Sequence, residues 1–192
     1  MLIKLRYLLY PFALLFKVCY FLADKRMQTL VNSDVIEMNK RMHIKKGLVY
    51  WLVFQKPYRN LFYKRIPIAR YLKLIFPEYG LFKINYLEDF GGAAFVLNHP
   101  YATIINARKI GSNFTCCQCT TIGNKMHGRN DLVPTIGDNV SLGANVTIIG
   151  DVFVGNNVIV GAGSVIVKDV PDNCVVAGNP AKIIKNNNPT KE

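Results

Sequence analysis

Along the C-terminal half of the chain one aliphatic side chain returns every six residues: Ile136, Leu142, Ile148, Val154, Val160 and Ile166. Glycine follows at 137, 143, 155 and 161, and a second apolar series, Val140, Val146, Val152 and Val158, keeps the same step until Ser164 interrupts it. Upstream, Ile104, Ile110, Cys116 and Ile122 repeat the spacing. A helix carries its side chains round with a period of 3.6 and a strand with a period of 2, so neither explains a fixed step of six. Each six residues instead form one short β segment and one corner, and the step predicts stacked coils with a continuous aliphatic column inside. One coil cannot bury its own face, but stacked coils can, and they pair each other's backbone groups. Glycine or asparagine after the inward aliphatic, as in Gly137-Asp138-Asn139, Gly143-Ala144-Asn145 and Gly155-Asn156-Asn157, is expected to supply the positive φ of tight corners.

The register breaks between Ile122 and Ile136, which lie 14 residues apart. The intervening stretch from Asn124 to Pro134 is polar, with His127, Arg129 and Asp131, and is expected to leave the stack as a loop. Such an excursion either carries function or is a tolerated surface insertion.

Before Gly91-Gly92 the pattern is helical. Ser33-Asp34 ahead of Val35-Ile36-Glu37 reads as an N-cap region, and Leu48 to Phe54 is a second apolar run. Pro57, Pro67 and Pro77 require the helices there to be short or to begin at the prolines. Tyr7 to Ala23 is an apolar stretch of 17 residues, but Pro11 and Lys17 make it a poor membrane span. Lys4 and Arg6 resemble the start of a signal peptide, yet Asp24-Lys25-Arg26 follows where a small-residue cleavage site would stand. A helix lying in a membrane interface and one packed in an α-helical domain both fit. The expected class is α+β by segments, with a basic, aromatic-rich α-helical region over residues 1–83, a β-helix over 84–185 and a short polar tail over 186–192.

The formal net charge of +12 is uneven. Residues 1–88 hold 16 Lys and Arg against 5 Asp and Glu, whereas residues 89–192 hold 8 against 7. Aromatic residues interleave with the basic ones in the first half, a mixture that suits an anionic membrane surface at least as well as nucleic acid. No recognisable reading helix or aromatic platform motif accompanies the charge, so no nucleic-acid partner is expected. The five cysteines have no framework spacing, which points to a reduced, cytoplasmic protein. Cys116-Cys117-Gln118-Cys119 contains a C-x-x-C but no second ligand pair, so these residues read as small buried side chains and no metal is expected.

His43, His99 and His127 are the three candidates for a base active near neutral pH. Leu97-Asn98-His99-Pro100-Tyr101-Ala102-Thr103-Ile104-Ile105, at the start of the repeats, resembles the segment of serine acetyltransferases that holds their catalytic histidine. Gln118-Cys119-Thr120-Thr121-Ile122-Gly123 is similar to the glutamine-containing coil that follows there. Gly161-Ala162-Gly163-Ser164-Val165-Ile166 and Val176-Ala177-Gly178-Asn179-Pro180-Ala181-Lys182 look like the family's coenzyme A-binding end. The chain thus resembles the hexapeptide-repeat acyltransferases, in particular short serine acetyltransferase-like proteins encoded with bacterial surface-polysaccharide enzymes, from about Pro57 to Ile184.

That resemblance implies a left-handed parallel β-helix, a handedness opposite to ordinary parallel crossovers, and a homotrimer with active sites between subunits. It implies acetyl-CoA as co-substrate, with His99 as the base that deprotonates an acceptor hydroxyl. Gly161, Ala162, Gly178, Pro180 and Ala144 would then expose backbone to the pantetheine arm, while Lys168 and Lys182 meet phosphates. The family's orienting aspartate would fall near Ile84, where there is no carboxylate, leaving Glu88 and Asp89 as nearest substitutes. Its second substrate-binding histidine is also replaced, by Leu132-Val133-Pro134, with Gln118, His127 and Arg129 as further candidates for the acceptor. The acceptor expected from the family is serine, and these departures bring a sugar or surface-polysaccharide hydroxyl close behind. A non-catalytic scaffold in a membrane-associated glycan assembly complex is the reading from another class. The expected location is the cytoplasm, with the inner membrane face as an option. The short polar end after Ile184 gives no expectation of feedback by cysteine.

Overall fold

The computed structural model describes residues 10–89, 92–126, 128–129 and 131–186, without the side chains of residues 86–88. The chain forms two compact units, residues 1–80 and 81–192.

The first unit is helical: α1 (Leu15–Leu22), α2 (Lys25–Arg41), α3 (Leu48–Phe54) and α4 (Lys56–Arg65), with 3-10 turns at Phe12–Leu14 and Pro67–Leu74. Helix α4 and the second 3-10 turn each carry a proline, Pro57 and Pro67, in the first turn, where its missing N–H costs nothing. The cap of α2 is Asp24, whose carboxylate accepts from Met27 N at 2.9 Å. Ser33-Asp34 therefore lies inside a 17-residue helix and starts none. Asp34 is buried, and its carboxylate accepts from Nε of Arg65 at 2.7 Å and from a terminal guanidinium N–H at 3.0 Å. Phe16 of α1 anchors an aromatic core, with ring centroids 5.6 Å from Phe62 and 5.0 Å from Phe76. Among the described residues no helix is long and apolar enough to cross a membrane.

The second unit is a stack of three-sided coils. Strands β2 (Val96–Leu97), β4 (Thr115–Cys116), β7 (Ser141–Leu142), β10 (Ile159–Val160) and β12 (Cys174–Ala177) pair in parallel on the first face. The second face stacks the start of β3 (Thr103–Ile110) on β5 (Thr121–Gly123), β8 (Thr147–Ile149) and β11 (Val165–Ile166). The third stacks the end of β3 on β6 (Thr135–Ile136) and β9 (Phe153–Val154). Strand β1 (Phe82–Asp89) runs along β3, and β13 (Lys182–Asn186) turns back antiparallel on β12.

The six-step aliphatics fill the interior: Ile136, Leu142, Ile148, Val154, Val160 and Ile166 are all buried. Ile104 does not join them. It is 40% exposed, and Ile105 takes the inward position in register with Ile122 and Ile148. Of the two residue types expected to supply positive φ, asparagine does so in these three corners. Positive φ belongs to Asn139 (56°), Asn145 (58°) and Asn157 (55°), and not to Gly137, Gly143 or Gly155. Asparagine tolerates that region because its short polar side chain bonds locally. Here the amides of Asn113, Asn139, Asn157 and Asn173 form a ladder with spacings of 2.7, 2.9 and 2.8 Å. Glycine is needed for closeness instead: a Cβ on Gly111, Gly137 or Gly155 would stand under 3.0 Å from the backbone of the next coil.

Candidate active site

The corner between the first and second faces differs in one coil from the rest. From Cys116 to Thr121, Leu142 to Thr147 and Val160 to Val165, four residues cross it. From Leu97 to Ile104 six residues cross it, because Leu97 is in register with Cys116 while Ile104 is in register with Thr121. The regular corner residue has positive φ: Cys119 at 58°, Asn145 at 58°, Gly163 at 70°, and Ala102 at 48° in the enlarged corner. The two added residues create a second left-handed position, and it is His99, at φ 49°. A non-glycine residue there stores strain of order 1–3 kcal/mol, which persists only where the surroundings hold it. Buried Pro100 follows it, Asn98 N donates to Cys116 O at 2.9 Å, and Tyr101 N donates to His99 O at 2.5 Å. The imidazole is left exposed beside the exposed ring of Tyr101.

Below His99 the same corner runs toward the C-terminus as a backbone column. Cys119 N donates to Tyr101 O (2.7 Å), Asn145 N to Gln118 O (2.9 Å) and Gly163 N to Ala144 O (2.8 Å), while Val165 N donates to Gly178 O (2.9 Å) in the adjoining column, where Thr121 N and Thr147 N meet Val146 O and Ser164 O. Tyr101, Gln118, Ala144 and Ala162 thus lie along one edge, with Gly161 beside Ala162 and Gly178 in the adjoining column of the last coil, and side-chain bulk falls away with distance from His99. With strands about 4.8 Å apart, three steps carry the edge roughly 14 Å along the stack. Ser164, where the second apolar series broke, is buried at this corner and donates from Oγ to Gly161 O at 2.6 Å. Thr120 makes the equivalent bond to Cys117 O at 2.9 Å. Lys168, Pro180 and Lys182 gather elsewhere, around a cleft of about 200 Å³ at the C-terminal end, and Pro180 lies two residues from Gly178.

The remaining candidates lie apart from His99. The β1–β3 register sets Ile84 opposite Ile105 and Asp89 opposite Lys109, at the far end of β3, where the two charges approach to 3.6 Å. Arg129 spends its guanidinium on Asp131, with Nε 2.8 Å from Oδ1 and a terminal nitrogen 2.5 Å from Oδ2. That bond holds the Asp131 carboxyl down at about 2. Arg108 ties this loop to the stack by donating to Asp131 O at 2.7 Å and meeting Asp151 Oδ1 at 3.1 Å. His127 lies outside the described residues. Val133, at the place of the second family histidine, is fully buried. Cys116 is buried, which pushes its thiol up to about 12, whereas Cys117 and Cys119 are half-buried. No group of three or more metal-ligating side chains occurs among the described residues. Tyr101 and the enlarged corner itself were not among the sequence candidates. Their trace is the eight-residue step from Leu97 to Ile105, where the later coils take six.

Stacked six-residue segments, parallel on three faces, make this a hexapeptide-repeat β-helix preceded by a helical unit. Residues 134–168 match the family model for the bacterial transferase hexapeptide (six repeats). The chain is 47% identical over 93 residues to the Escherichia coli K12 protein named "Putative colanic acid biosynthesis acetyltransferase WcaB", covering 48% of this chain and 57% of that protein. It is 39% identical over 95 residues to serine acetyltransferase 2 of Arabidopsis thaliana, covering 49% and 29%. The chain therefore spans little more than half of the first relative and less of the second. Among solved structures, Neisseria gonorrhoeae serine acetyltransferase superposes with a TM-score of 0.71 at 27% identity, over 87% of this chain and 68% of that one. Serine acetyltransferase of Brucella abortus in complex with coenzyme A shares the fold, with a TM-score of 0.67 at 24% identity over 89% and 72%. The coils accordingly form a left-handed β-helix of hexapeptide repeats, the fold of those serine acetyltransferase structures.

Proposed function

We propose that the protein is an acetyl-CoA-dependent O-acetyltransferase acting on a hydroxyl acceptor in the cytoplasm, as a homotrimer with active sites between subunits. The observation that carries this reading is the corner edge. One exposed, left-handed histidine stands at its head, and Gln118, Ala144 and Ala162 continue it with less side chain toward Gly178 in the last coil. A hydroxyl is a weak nucleophile at neutral pH, so its attack on a thioester carbonyl needs proton removal as the C–O bond forms. The neutral His99 imidazole takes that proton and returns it to the sulfur as the C–S bond breaks, leaving acetyl ester and free coenzyme A. A backbone N–H of the corner would stabilise the tetrahedral oxyanion between these steps. The small residues Gly161, Ala162 and Gly178 let the pantetheine arm reach the backbone, and Lys168 and Lys182 would meet its phosphates.

Serine is the acceptor that the serine acetyltransferase relatives favour. A second reading, a sugar or surface-polysaccharide hydroxyl, is supported by two local features and by the name of the relative at 47% identity. The guanidinium fork of Arg129 is occupied by Asp131, and Val133 offers no second imidazole to an amino acid. An acceptor screen with acetyl-CoA, comparing serine with nucleotide sugars and oligosaccharides by release of free coenzyme A thiol, tests both. Turnover with serine alone rejects the sugar reading, and turnover with no acceptor leaves a non-catalytic scaffold.

A further inference from the structure

We propose that the helical unit docks on an anionic lipid surface through the apolar side chains of α1 and of the 3-10 helix Pro67–Leu74. Helix α1 points only Phe16 into the aromatic core. Its aliphatic residues Leu15, Val18 and Leu22 face solvent together with Phe21, with Phe21 70% and Leu22 67% exposed. Phe12 and Leu14, in the preceding turn, are exposed as well. The 3-10 helix packs against α1 and presents Tyr71 and Leu74, the latter 95% exposed. Single exposed apolar residues are ordinary on a protein surface, but this many on two neighbouring elements mark an interaction site.

Charge selects the occupant. Residues 1–80 hold 15 of the chain's 24 basic residues and 4 of its 12 acidic ones. Asp34 is buried against Arg65, Glu37 pairs with Arg41, Glu78 pairs with Lys73 and Asp24 caps α2. The acidic groups are thus each matched within the unit, while Lys17 and Lys25 are exposed on or beside α1. A second copy of this unit would bring the same positive sign to the contact and be repelled, whereas an anionic bilayer supplies the opposite sign together with an apolar phase. An exposed apolar helix flanked by lysine, too short to span, is the form that lies in the headgroup region.

The test is flotation of the full chain with vesicles of phosphatidylglycerol and phosphatidylcholine, against vesicles of phosphatidylcholine alone, across a salt series. Flotation is expected with the anionic vesicles, weaker with neutral ones, and falling as salt rises. Phe21→Glu combined with Leu22→Glu is expected to lower the bound fraction at least tenfold with unchanged circular dichroism. Leu74→Glu, on the other element, acts in the same direction and guards against a local folding defect. His99→Asn floats like the unaltered protein, so catalysis and membrane binding are read separately. Absence of flotation with anionic vesicles, or variants that float normally, overturns the proposal. A variant whose only change is a smaller assembly mass also overturns it, assigning the face to a second copy.

Discussion

Replacing Gly137 by alanine tests why these corners require bare backbone. A Cβ there would stand 2.7 Å from Asn156 Oδ1 and 2.8 Å from the carbonyl carbon and oxygen of Gly155. Ordinary contact begins at 3.4 Å, so the coils must part locally by about 0.6 Å. Gly137 N donates to Val154 O and Asp138 N to Asn156 Oδ1, each at 2.8 Å, across the same gap. The displacement takes both to about 3.4 Å, outside good N–H···O geometry. Two weakened hydrogen bonds at ~0.5–1.5 kcal/mol each and ~1–3 kcal/mol of overpacking, less ~0.4–1 kcal/mol from the stiffer unfolded chain, leave roughly 2–5 kcal/mol. At about 2–4 °C per kcal/mol for a chain of this size, melting falls by roughly 4–20 °C. Gly163→Ala is the control. Its φ is +70° but no heavy atom lies within 4 Å of the added Cβ, so only the left-handed penalty of about 1 kcal/mol applies, a fall of about 2–4 °C. Thermal unfolding followed by β-sheet circular dichroism measures both. Equal shifts, or a silent Gly137→Ala, refute the steric explanation.

Asp34→Asn turns the buried Arg65 toward a neutral amide and is expected to cost about 3–5 kcal/mol in a urea titration; a loss below about 1 kcal/mol contradicts the pair's role. The Asp131 carboxyl, held at about 2 by Arg129, sits below its ordinary value, so the pair persists down through pH 4 and its contribution is lost only as pH falls through about 2. An NMR titration of that carboxyl with a midpoint near the ordinary 4 would contradict this. The Cys116 thiol, pushed up to about 12 by burial, stays unalkylated by iodoacetamide at about pH 8 while Cys117 and Cys119 are labelled. Peptide mass spectrometry showing Cys116 labelled as fast as its neighbours would exclude that burial.

The step of six was enough to place the aliphatic column from Ile136 to Ile166, because a repeated position in a stack has one environment. It failed at Ile104 for the same reason: the spacing assumes equal coils, but Ile105 pairs with Ile122 and Ile110 with Ile136, a step of five along β3 where Ile148 to Val154 takes six, so Ile105 is the inward residue. Glycine and asparagine stayed alternatives for the positive φ because both tolerate it, and what separates them is the distance to the next coil, which no local pattern contains. Asp34 read as a helix cap because its partner Arg65 lies 31 residues away. The left-handed φ of His99 depends on the enlarged corner, which a fixed step of six does not contain. Asp89 was a candidate by proximity in sequence, whereas strand register sets it opposite Lys109.

Free coenzyme A release from acetyl-CoA, with the acceptor found by the screen, measures the central claim most directly when His99→Asn is compared with the unaltered protein. Asparagine tolerates the left-handed φ of this corner and so removes the imidazole without forcing the backbone. The account predicts a loss of turnover of roughly 10²–10⁴-fold with acetyl-CoA binding retained in calorimetry. Undiminished turnover in His99→Asn would contradict it.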